Sequence, residues 1–288
     1  MMELIWILLI LFSAATHPLR DLSLKGVANP LGCYIGVMIT WLVLSAMQTL
    51  LTDQSLTLPA ASWKFVFISG IGLILYYYGT LSAMKKGNLS VYYPIIRSSP
   101  LAIILFSWLL LGQSYTQITL VGIGVVLFGS FMIQKSSGTI FHDIRSLILA
   151  LIAMIGSAAY TLGDAFAMQI VTPGPYIFYC YSFGMLTLLL IYFVENRDQP
   201  RPIMTIIHSW RHAPIRIIFA GVTSYLSYQF ILYAFQLGAE AAAVSAVRQA
   251  SIPVSVVLAH FLLKEMDFKR RIGWACVIAL GIILISLA

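Results

Sequence analysis

The sequence predicts an all-α membrane protein of ten transmembrane helices, built from two inverted five-helix repeats. Its composition, its spacing of apolar runs and an internal duplication predict this fold. Of the 288 residues, 60% are hydrophobic and 9% are charged, so polar side chains are too few to cover a soluble domain. At roughly 20 residues per crossing, the chain has room for about ten spans with short connections, and for no separate soluble domain.

Turn-forming and charged residues separate the apolar runs. Asn29-Pro30 precedes the second span, Lys85 to Asn88 precede the fourth, and Lys269 to Arg271 precede the tenth. The longest polar insert, residues 195–214, predicts an interfacial linker with a short surface helix over Ile203 to Trp210. The predicted spans cover residues 2–18, 31–51, 63–84, 89–111, 116–134, 146–170, 175–194, 215–236, 241–263 and 271–288.

The second half of the chain repeats the first. At an offset of 151 positions, Gly70, Tyr77, Ala83, Gly87, Arg97 and Gly122 match Gly221, Tyr228, Ala234, Gly238, Arg248 and Gly273. Nearer the amino end, Ser13-Ala14-Ala15 recurs at 157–159, which argues against the alternative that the first span is a cleaved signal peptide. The predicted domains are residues 1–137 and 138–288, with the linker 195–214 in the second. Because five is odd, the second repeat enters from the opposite side, which predicts inverted halves and alternating access.

Lysine and arginine are unevenly distributed between the two predicted sides of the membrane. Loops after the odd-numbered spans hold 14 of them, and the other side holds only Lys64. The positive-inside rule therefore predicts that the odd loops face the cytoplasm and that both termini face away from it. The expected location is the bacterial inner membrane. The net charge of +7 indicates contact with anionic lipid and gives no support to nucleic-acid binding.

Two arginines, Arg97 and Arg248, lie about eight residues into apolar spans, roughly 12 Å from the ends at which their helices start. Because those ends face opposite sides of a core about 30 Å thick, both guanidinium groups are expected near the midplane of the bilayer, in one cavity. A buried arginine is costly and should face the protein interior. Two interpretations remain open. One is a structural ion pair with Asp164, Glu240 or a helix carbonyl, and the other is a forked donor for a substrate carboxylate or phosphate.

Prolines lie in the same two spans as these arginines. Pro94 and Pro100 flank Arg97, and Pro253 follows Arg248. Proline removes a helix hydrogen bond and frees a backbone carbonyl, which is tolerated where it faces protein or a wet cavity. A simple packing kink is the alternative.

Three further titratable residues, Asp164, His17 and His260, are candidates for proton coupling or charge modulation. Asp164 is the one carboxylate well inside a predicted span. Proton coupling, binding of an amine and a salt bridge to an arginine remain open as its role. The two histidines can titrate in the physiological range, although a lone histidine in a membrane is more often a hydrogen-bonded structural group.

Tyrosines supply the other polar groups of the predicted cavity. Tyr77 and Tyr228 are repeat mates, and Tyr78 and Tyr225 lie beside them. A phenol gives a binding site an apolar wall and one hydrogen bond. The competing interpretation is an interfacial aromatic belt, which is favoured for tyrosines near span ends, namely Tyr92, Tyr93, Tyr176 and Tyr179.

Short motifs in both halves resemble the EamA-type repeat of the drug/metabolite transporter superfamily. In the first half, the run Leu110-Leu111-Gly112-Gln113 with Gly122 and Gly129 resembles the end of such a repeat. In the second half, the run Leu262-Leu263-Lys264-Glu265 with Gly273 and Gly281 resembles it again. The segment from Gly87 through Arg97 to Pro100 is similar to the fourth helix of the family. Two features depart from the family pattern: Gln113 replaces the usual glutamate, and the family usually has cytoplasmic termini.

The resemblance implies a secondary carrier with a central cavity. Together with the deep arginines, it predicts alternating-access transport of a small anionic or zwitterionic metabolite, such as an amino acid, a carboxylate or a phosphorylated compound. The expected partners are this solute, the lipid bilayer and protons as the coupling ion. Alternatives are export of cationic or amphipathic compounds, a lipid-linked flippase subunit and a scaffold for an enzyme. The sequence contains no HExxH or GxSxG motif, so neither enzyme activity nor a metal or cofactor site is expected.

Overall fold

The computed structural model describes residues 2–24, 27, 29–86, 95–134, 144–198, 201–254, 257–258 and 268–287. Over these ranges the chain is helical and has no strand, which confirms the predicted fold class. The first half contains α1 (Met2–Ser23), α2 (Pro30–Leu51), α3 (Trp63–Lys86), α4 (Ser99–Leu111) and α5 (Gln117–Gln134). The second contains α6 (Ile144–Ala167), α7 (Pro173–Glu195), α8 (Pro202–His212), α9 (Pro214–Gln236), α10 (Ala241–Val247) and α11 (Phe268–Ser286).

The outer surface of the helices is apolar. Within the described part of the chain, α2, α3, α6, α7 and α9 are long and apolar enough to cross a membrane, and α1, α4, α5 and α11 each contain a shorter apolar stretch. Leucines such as Leu110 and Leu190 are 76% and 63% exposed on them. Such a surface is unfavourable in water and suited to lipid. The protein is therefore an integral membrane protein.

The helices pack in pairs that respect the internal duplication. In the second half α6, α7, α9, α10 and α11 correspond to α1 to α5. The helix α3 packs along α6, and their counterparts α9 and α1 pack along each other in the same way. Other contacts join a helix to its own counterpart, as for α2 with α7 and α5 with α11, and the contact of α2 with α9 is matched by that of α7 with α3. Exchanging the halves leaves this set of contacts unchanged, as expected of inverted repeats related by a pseudo-two-fold axis.

Pairs of glycines bring two of these helix pairs into backbone contact. Between α3 and α6, a Cβ atom on Gly72 would lie 2.7 Å from the carbonyl oxygen of Gly156, and a Cβ on Gly156 would lie as close to that of Gly72. Between α5 and α11, Gly122 and Gly281 approach each other in the same manner. Small residues at such crossings let helices pack closely in lipid, where van der Waals contact drives association.

Both deep arginines lie where a span loses its regular helical geometry. Residues 95–97 are helical, Ser98 forms a turn, and α4 begins at Ser99. In the other half, α10 ends at Val247 and a 3-10 turn covers Arg248–Ala250 before the helix resumes. The fourth and ninth spans are therefore both discontinuous near their arginines.

The helix interruption in the first half of the chain contacts the one in the second half. The side-chain amide of Gln249 donates to the backbone carbonyl of Arg97 at 3.0 Å. The hydroxyl groups of Ser99 and Ser245 lie 3.2 Å apart. The backbone carbonyl of Arg97 thus accepts a hydrogen bond from the protein. The segments that contain the two arginines contact each other.

The first helix is longer than the predicted span 2–18, because α1 continues to Ser23 with Pro18 inside it. Arg20 is consequently part of the helix and is only 7% exposed. Hydropathy ends a span where charge begins, but a helix can continue if it turns the charged group toward the protein interior.

The polar linker contains the short surface helix predicted from the sequence. This helix, α8, covers Pro202–His212, and its Ile206 is fully buried against α2 and α7. The indole nitrogen of Trp210 donates to the backbone carbonyl of Gly32 at 2.7 Å. These contacts fix the linker helix against the membrane-spanning bundle.

Candidate functional site

A cavity lies between the two halves, where α1, α2, α3, α6, α7 and α9 surround the 3-10 turn of the ninth span. The cavity volume is about 30 Å³, and the space counted out into the open solvent beside it is about 380 Å³. Basic, aromatic and hydroxyl side chains dominate its wall. The lining residues are His17, Arg20, Trp41, Leu73, Tyr76, Tyr77, Tyr160, Tyr181, Ser224, Ser227, Tyr228, Ile231 and Arg248.

Two guanidinium groups line this cavity, one from each half of the chain. Arg248 approaches the hydroxyl of Tyr160 at 3.4 Å. Arg20 lies 3.4 Å from Nε2 of His17 and 5.6 Å from the ring centroid of Tyr34, within cation-π range. Because arginine only donates hydrogen bonds, Nε2 of His17 must accept this one.

The apolar part of the wall is a group of packed aromatic rings. The Trp41 ring centroid lies 4.0 Å from that of Tyr181 and 5.1 Å from that of Tyr228. The Trp41 indole nitrogen donates to the hydroxyl of Ser224 at 2.9 Å, so the indole is held in one orientation. Such a wall is chemically suited to the flat or aliphatic part of a small solute, and guanidinium groups are suited to an anionic part.

Asp164 lies just behind this wall and is bonded to it. Its side chain is 1% exposed. One carboxylate oxygen accepts from the hydroxyl of Tyr176 at 2.8 Å, and the other accepts a short hydrogen bond from Tyr228. Ser69 continues the network, with its hydroxyl 2.6 Å from that of Tyr176 and 3.1 Å from the backbone carbonyl of Tyr160. Tyr228 therefore both lines the cavity and donates a hydrogen bond to the buried carboxylate of Asp164.

Removing one of these donors is expected to destabilise the protein measurably. In Tyr176→Phe the Asp164 carboxylate loses one of its two tyrosine donors, and a hydrogen bond to a charged group contributes about 1.5–3 kcal/mol. We expect a loss of that size in thermal or denaturant unfolding of the detergent-solubilised protein. Tyr179→Phe is the matched control on the same helix, because no described residue bonds to its hydroxyl and its ring packs on Trp63. Equal losses in the two variants would contradict the network.

A second polar cluster joins α2 to α9 on the side of the membrane where both helices end. Gln48 accepts through its side-chain oxygen from Gln229 at 2.7 Å and from the hydroxyl of Tyr225. Its side-chain nitrogen donates to the hydroxyl of Tyr233 at 3.2 Å. This cluster lies outside the cavity lining and joins α2 to α9.

The predicted site residues divide into three groups. Four of them line the cavity: Arg248, Tyr77, Tyr228 and His17. Arg97, Asp164, Tyr78 and Tyr225 lie outside the lining, although the charge of Arg97 acts on both His17 and Arg248. Tyr78 is 38% exposed on the outer side of α3, and Tyr225 belongs to the cluster with Gln48. His260 lies outside the described residues.

Several lining residues were absent from the sequence prediction. The sequence predicts a loop position for Arg20, although this residue lies three positions after His17 and hence on the same helix face. Trp41, Tyr160 and Tyr181 carried no signal beyond their position within spans. The belt interpretation of Tyr176 is wrong, because that residue is fully buried and bonds to Asp164.

Comparison with known proteins agrees with this architecture. The sequence model of the EamA-like transporter family matches the chain twice, over residues 1–134 and 144–287. A solved crystal structure that is 16% identical aligns over 99% of this chain and 97% of its own, with a TM-score of 0.77. At that identity the likeness concerns the fold alone. No curated protein matches the chain.

Proposed function

This chain belongs to the EamA-like transporter family, and from that premise we propose that it is a secondary active transporter of a small anionic or zwitterionic metabolite. The proposed solute is an amino acid, a carboxylate or a phosphorylated compound, moved by alternating access between the two inverted halves. The observation that carries the proposal is the position of Arg248. This permanently charged group lines the cavity between the halves, beside a wall of aromatic rings.

The chemistry of Arg248 supports an anionic solute. Its described polar contact is the neutral hydroxyl of Tyr160 at 3.4 Å. No carboxylate of the described residues lies within ion-pair distance of it. In a site shielded from water, a guanidinium group gains most from an anionic partner that it can bind through two parallel hydrogen bonds. A carboxylate or phosphate group of the solute fits that role.

The placement of the acidic groups argues against the alternative of cation export. Asp164 does not line the cavity, and both of its oxygens accept hydrogen bonds from tyrosines. A cationic solute would therefore meet Arg20 and Arg248 before it met a carboxylate. Repulsion between like charges in a medium of low dielectric constant makes such binding unfavourable.

Asp164 is the proposed coupling group. It is bonded to the cavity wall through Tyr228, so a solute that displaces Tyr228 also removes a donor from the carboxylate. Losing a donor favours the protonated form of a buried carboxyl group. Proton uptake on solute movement follows from this link. The proposed location is the bacterial inner membrane, with both termini outside the cytoplasm as the distribution of basic residues indicates.

The test of this function is uptake by proteoliposomes that contain the purified protein. Labelled amino acids, carboxylates, phosphorylated metabolites and organic cations are compared with and without a proton gradient. We expect accumulation of at least one anion or zwitterion above protein-free liposomes, with a rate that depends on the gradient. Transport of the cations with none of the anions would reject the proposal in favour of the cation exporter.

A further inference from the structure

The carboxyl group of Asp164 is connected to the cavity through one of its two tyrosine donors. Asp164 is 1% exposed and does not line the cavity. Tyr228 donates to one carboxylate oxygen and lines the cavity, whereas Tyr176 donates to the other and does not line it. Within the described structure, a proton that moves between the cavity and this carboxyl group therefore passes the Tyr228 hydroxyl or requires the wall to open.

The branch of the network through Tyr176 ends inside the protein. The hydroxyl of Tyr176 lies 2.6 Å from that of Ser69, and Ser69 donates to the backbone carbonyl of Tyr160 at 3.1 Å. Neither Tyr176 nor Ser69 lines the cavity. A backbone carbonyl accepts hydrogen bonds but has no proton to pass on. This branch therefore orients the carboxyl group without joining it to the cavity.

The ring of Tyr228 is held by other aromatic rings of the cavity wall. Its centroid lies 5.1 Å from that of Trp41 and 5.8 Å from that of Tyr181, and the residue is 6% exposed. A hydroxyl group has one proton to donate and two lone pairs that accept. Because the proton of Tyr228 points to Asp164, its oxygen can accept a hydrogen bond from a group in the cavity.

We propose that the hydroxyl group of Tyr228 relays the coupling proton between the cavity and Asp164. This inference rests on the proposed function, in which Asp164 is the coupling group, and it assigns the path of the proton. A hydronium ion or a protonated solute gives its proton to the oxygen of Tyr228, whose own proton passes to the carboxylate. One O–H bond breaks on the donor and one on Tyr228, while one forms on Tyr228 and one on Asp164. The phenol is neutral before and after the step.

The surroundings of Asp164 link this step to the solute. Of the charged groups that the structure describes, Arg248 acts on Asp164, and its positive charge opposes the approach of a proton where the dielectric constant is low. An anion bound to Arg248 offsets that charge, so binding of the solute favours proton transfer through the relay. The titratable groups around Asp164 are Tyr160, Tyr176, Cys180, Tyr181 and Tyr228.

The other half of the chain has the matching phenol but no matching carboxyl group. The offset of 151 pairs Tyr228 with Tyr77, whereas the offset of 144 pairs Asp164 with Arg20. The helix ends agree with the second pairing, since α1 ends at Ser23 and α6 ends 144 residues later. Duplication therefore does not produce a second relay of this kind.

The test follows the protonation of Asp164 itself and needs no solute. After a rapid drop in pH, infrared spectroscopy of the lipid-reconstituted protein records the C=O stretch of the carboxylic acid, which Asp164→Asn identifies by its loss. Tyr228→Phe keeps the ring and removes the hydroxyl. We expect protonation to be at least about tenfold slower in this variant, because a positioned proton-transfer group accelerates a reaction by that much or more. A rate equal to that of the wild type would overturn the relay.

Tyr176→Phe is the matched control, because it removes the other tyrosine donor from the same carboxyl group. Its hydroxyl does not face the cavity, so the rate of protonation should stay close to that of the wild type even though the protein is less stable. Equal slowing in the two variants would mean that a lost hydrogen bond, and not a lost relay, is responsible.

The wild-type protein supplies a test that does not depend on the folding of Tyr228→Phe. Because two O–H bonds break in the relay, protonation should slow in D₂O by more than the ratio of the solvent viscosities. Slowing that only matches the viscosities would mean that the wall opens to admit water, and would overturn the proposal.

Uptake into proteoliposomes separates this inference from the proposed function. Labelled amino acids, carboxylates and phosphorylated metabolites are supplied to wild type and Tyr228→Phe with and without a proton gradient. Equal stimulation by the gradient in both proteins would overturn the relay and leave anion transport intact. Absence of uptake of all these solutes by the wild type would overturn the proposed function, while the infrared rates would still decide whether Tyr228 passes protons to Asp164.

Discussion

Arg248→Gln is expected to reduce solute uptake by roughly thirty-fold or more while the protein remains folded. Truncating one partner of a buried, hydrogen-bonded charge pair costs about 2–5 kcal/mol, and every 1.4 kcal/mol is about a factor of ten. The glutamine side chain can still donate a hydrogen bond, but it is shorter than that of arginine and carries no charge. The measurement is the initial rate of uptake into proteoliposomes with equal amounts of reconstituted protein.

The controls for this variant separate loss of binding from loss of folding. Size-exclusion profiles and unliganded melting temperatures should match those of the wild type, because the described polar contact of Arg248 is a single, long hydrogen bond to Tyr160. Arg197→Gln carries the same change of charge on the exposed surface and should transport normally. Normal uptake by Arg248→Gln would mean that the cavity does not bind the solute through this group.

Gly72→Ala is expected to prevent correct packing of α3 against α6. The added Cβ would lie 2.6 Å from the backbone nitrogen of Tyr160 and 2.7 Å from the carbonyl oxygen of Gly156. These are backbone atoms, so the two helices must move apart instead of rearranging a side chain. Overpacking costs about 3 kcal/mol at the upper end of its usual range. We expect a much smaller yield of monodisperse protein and a lower melting temperature.

The matched control is Gly124→Ala in α5. An added Cβ at Gly124 meets nothing within 4 Å, and alanine is preferred over glycine inside a helix by about 1 kcal/mol. Its melting temperature should equal or exceed that of the wild type. If Gly72→Ala behaved like Gly124→Ala, the close approach of α3 and α6 would not be a requirement of the folded protein.

The sequence was sufficient for the architecture because lipid imposes a simple rule on it. A helix in a bilayer must be apolar on its outside, so composition and span length identify the spans. The offset between Gly70 and Gly221 then revealed the duplication. The structure also shows this duplication, since Gly70 packs against Phe183 of α7 while Gly221 packs against Thr40 of α2. The end of α1 was missed because hydropathy cannot tell a charge in a loop from one that a helix turns inward.

The site was only partly accessible from the sequence. Depth within a span singled out Arg248 and Asp164, and duplication singled out Tyr77 with Tyr228. The bond between Tyr228 and Asp164 joins residues that are 64 positions apart, and no local pattern specifies such a contact. Arg20 could have been found by extending the offset of 144 along α1, which places it opposite Asp164.

That opposition of charge would distinguish the two states that an inverted-repeat architecture allows. In an inverted-repeat carrier the halves can exchange conformations, and each residue then takes the surroundings that its mate had before. Arg20 now faces the open cavity while Asp164 is enclosed. After such an exchange, Asp164 would face the opposite compartment and Arg20 would be enclosed. The two states of the proposed carrier would thus place an arginine at the cavity in one case and a carboxylate in the other, and they would differ in their affinity for an anion.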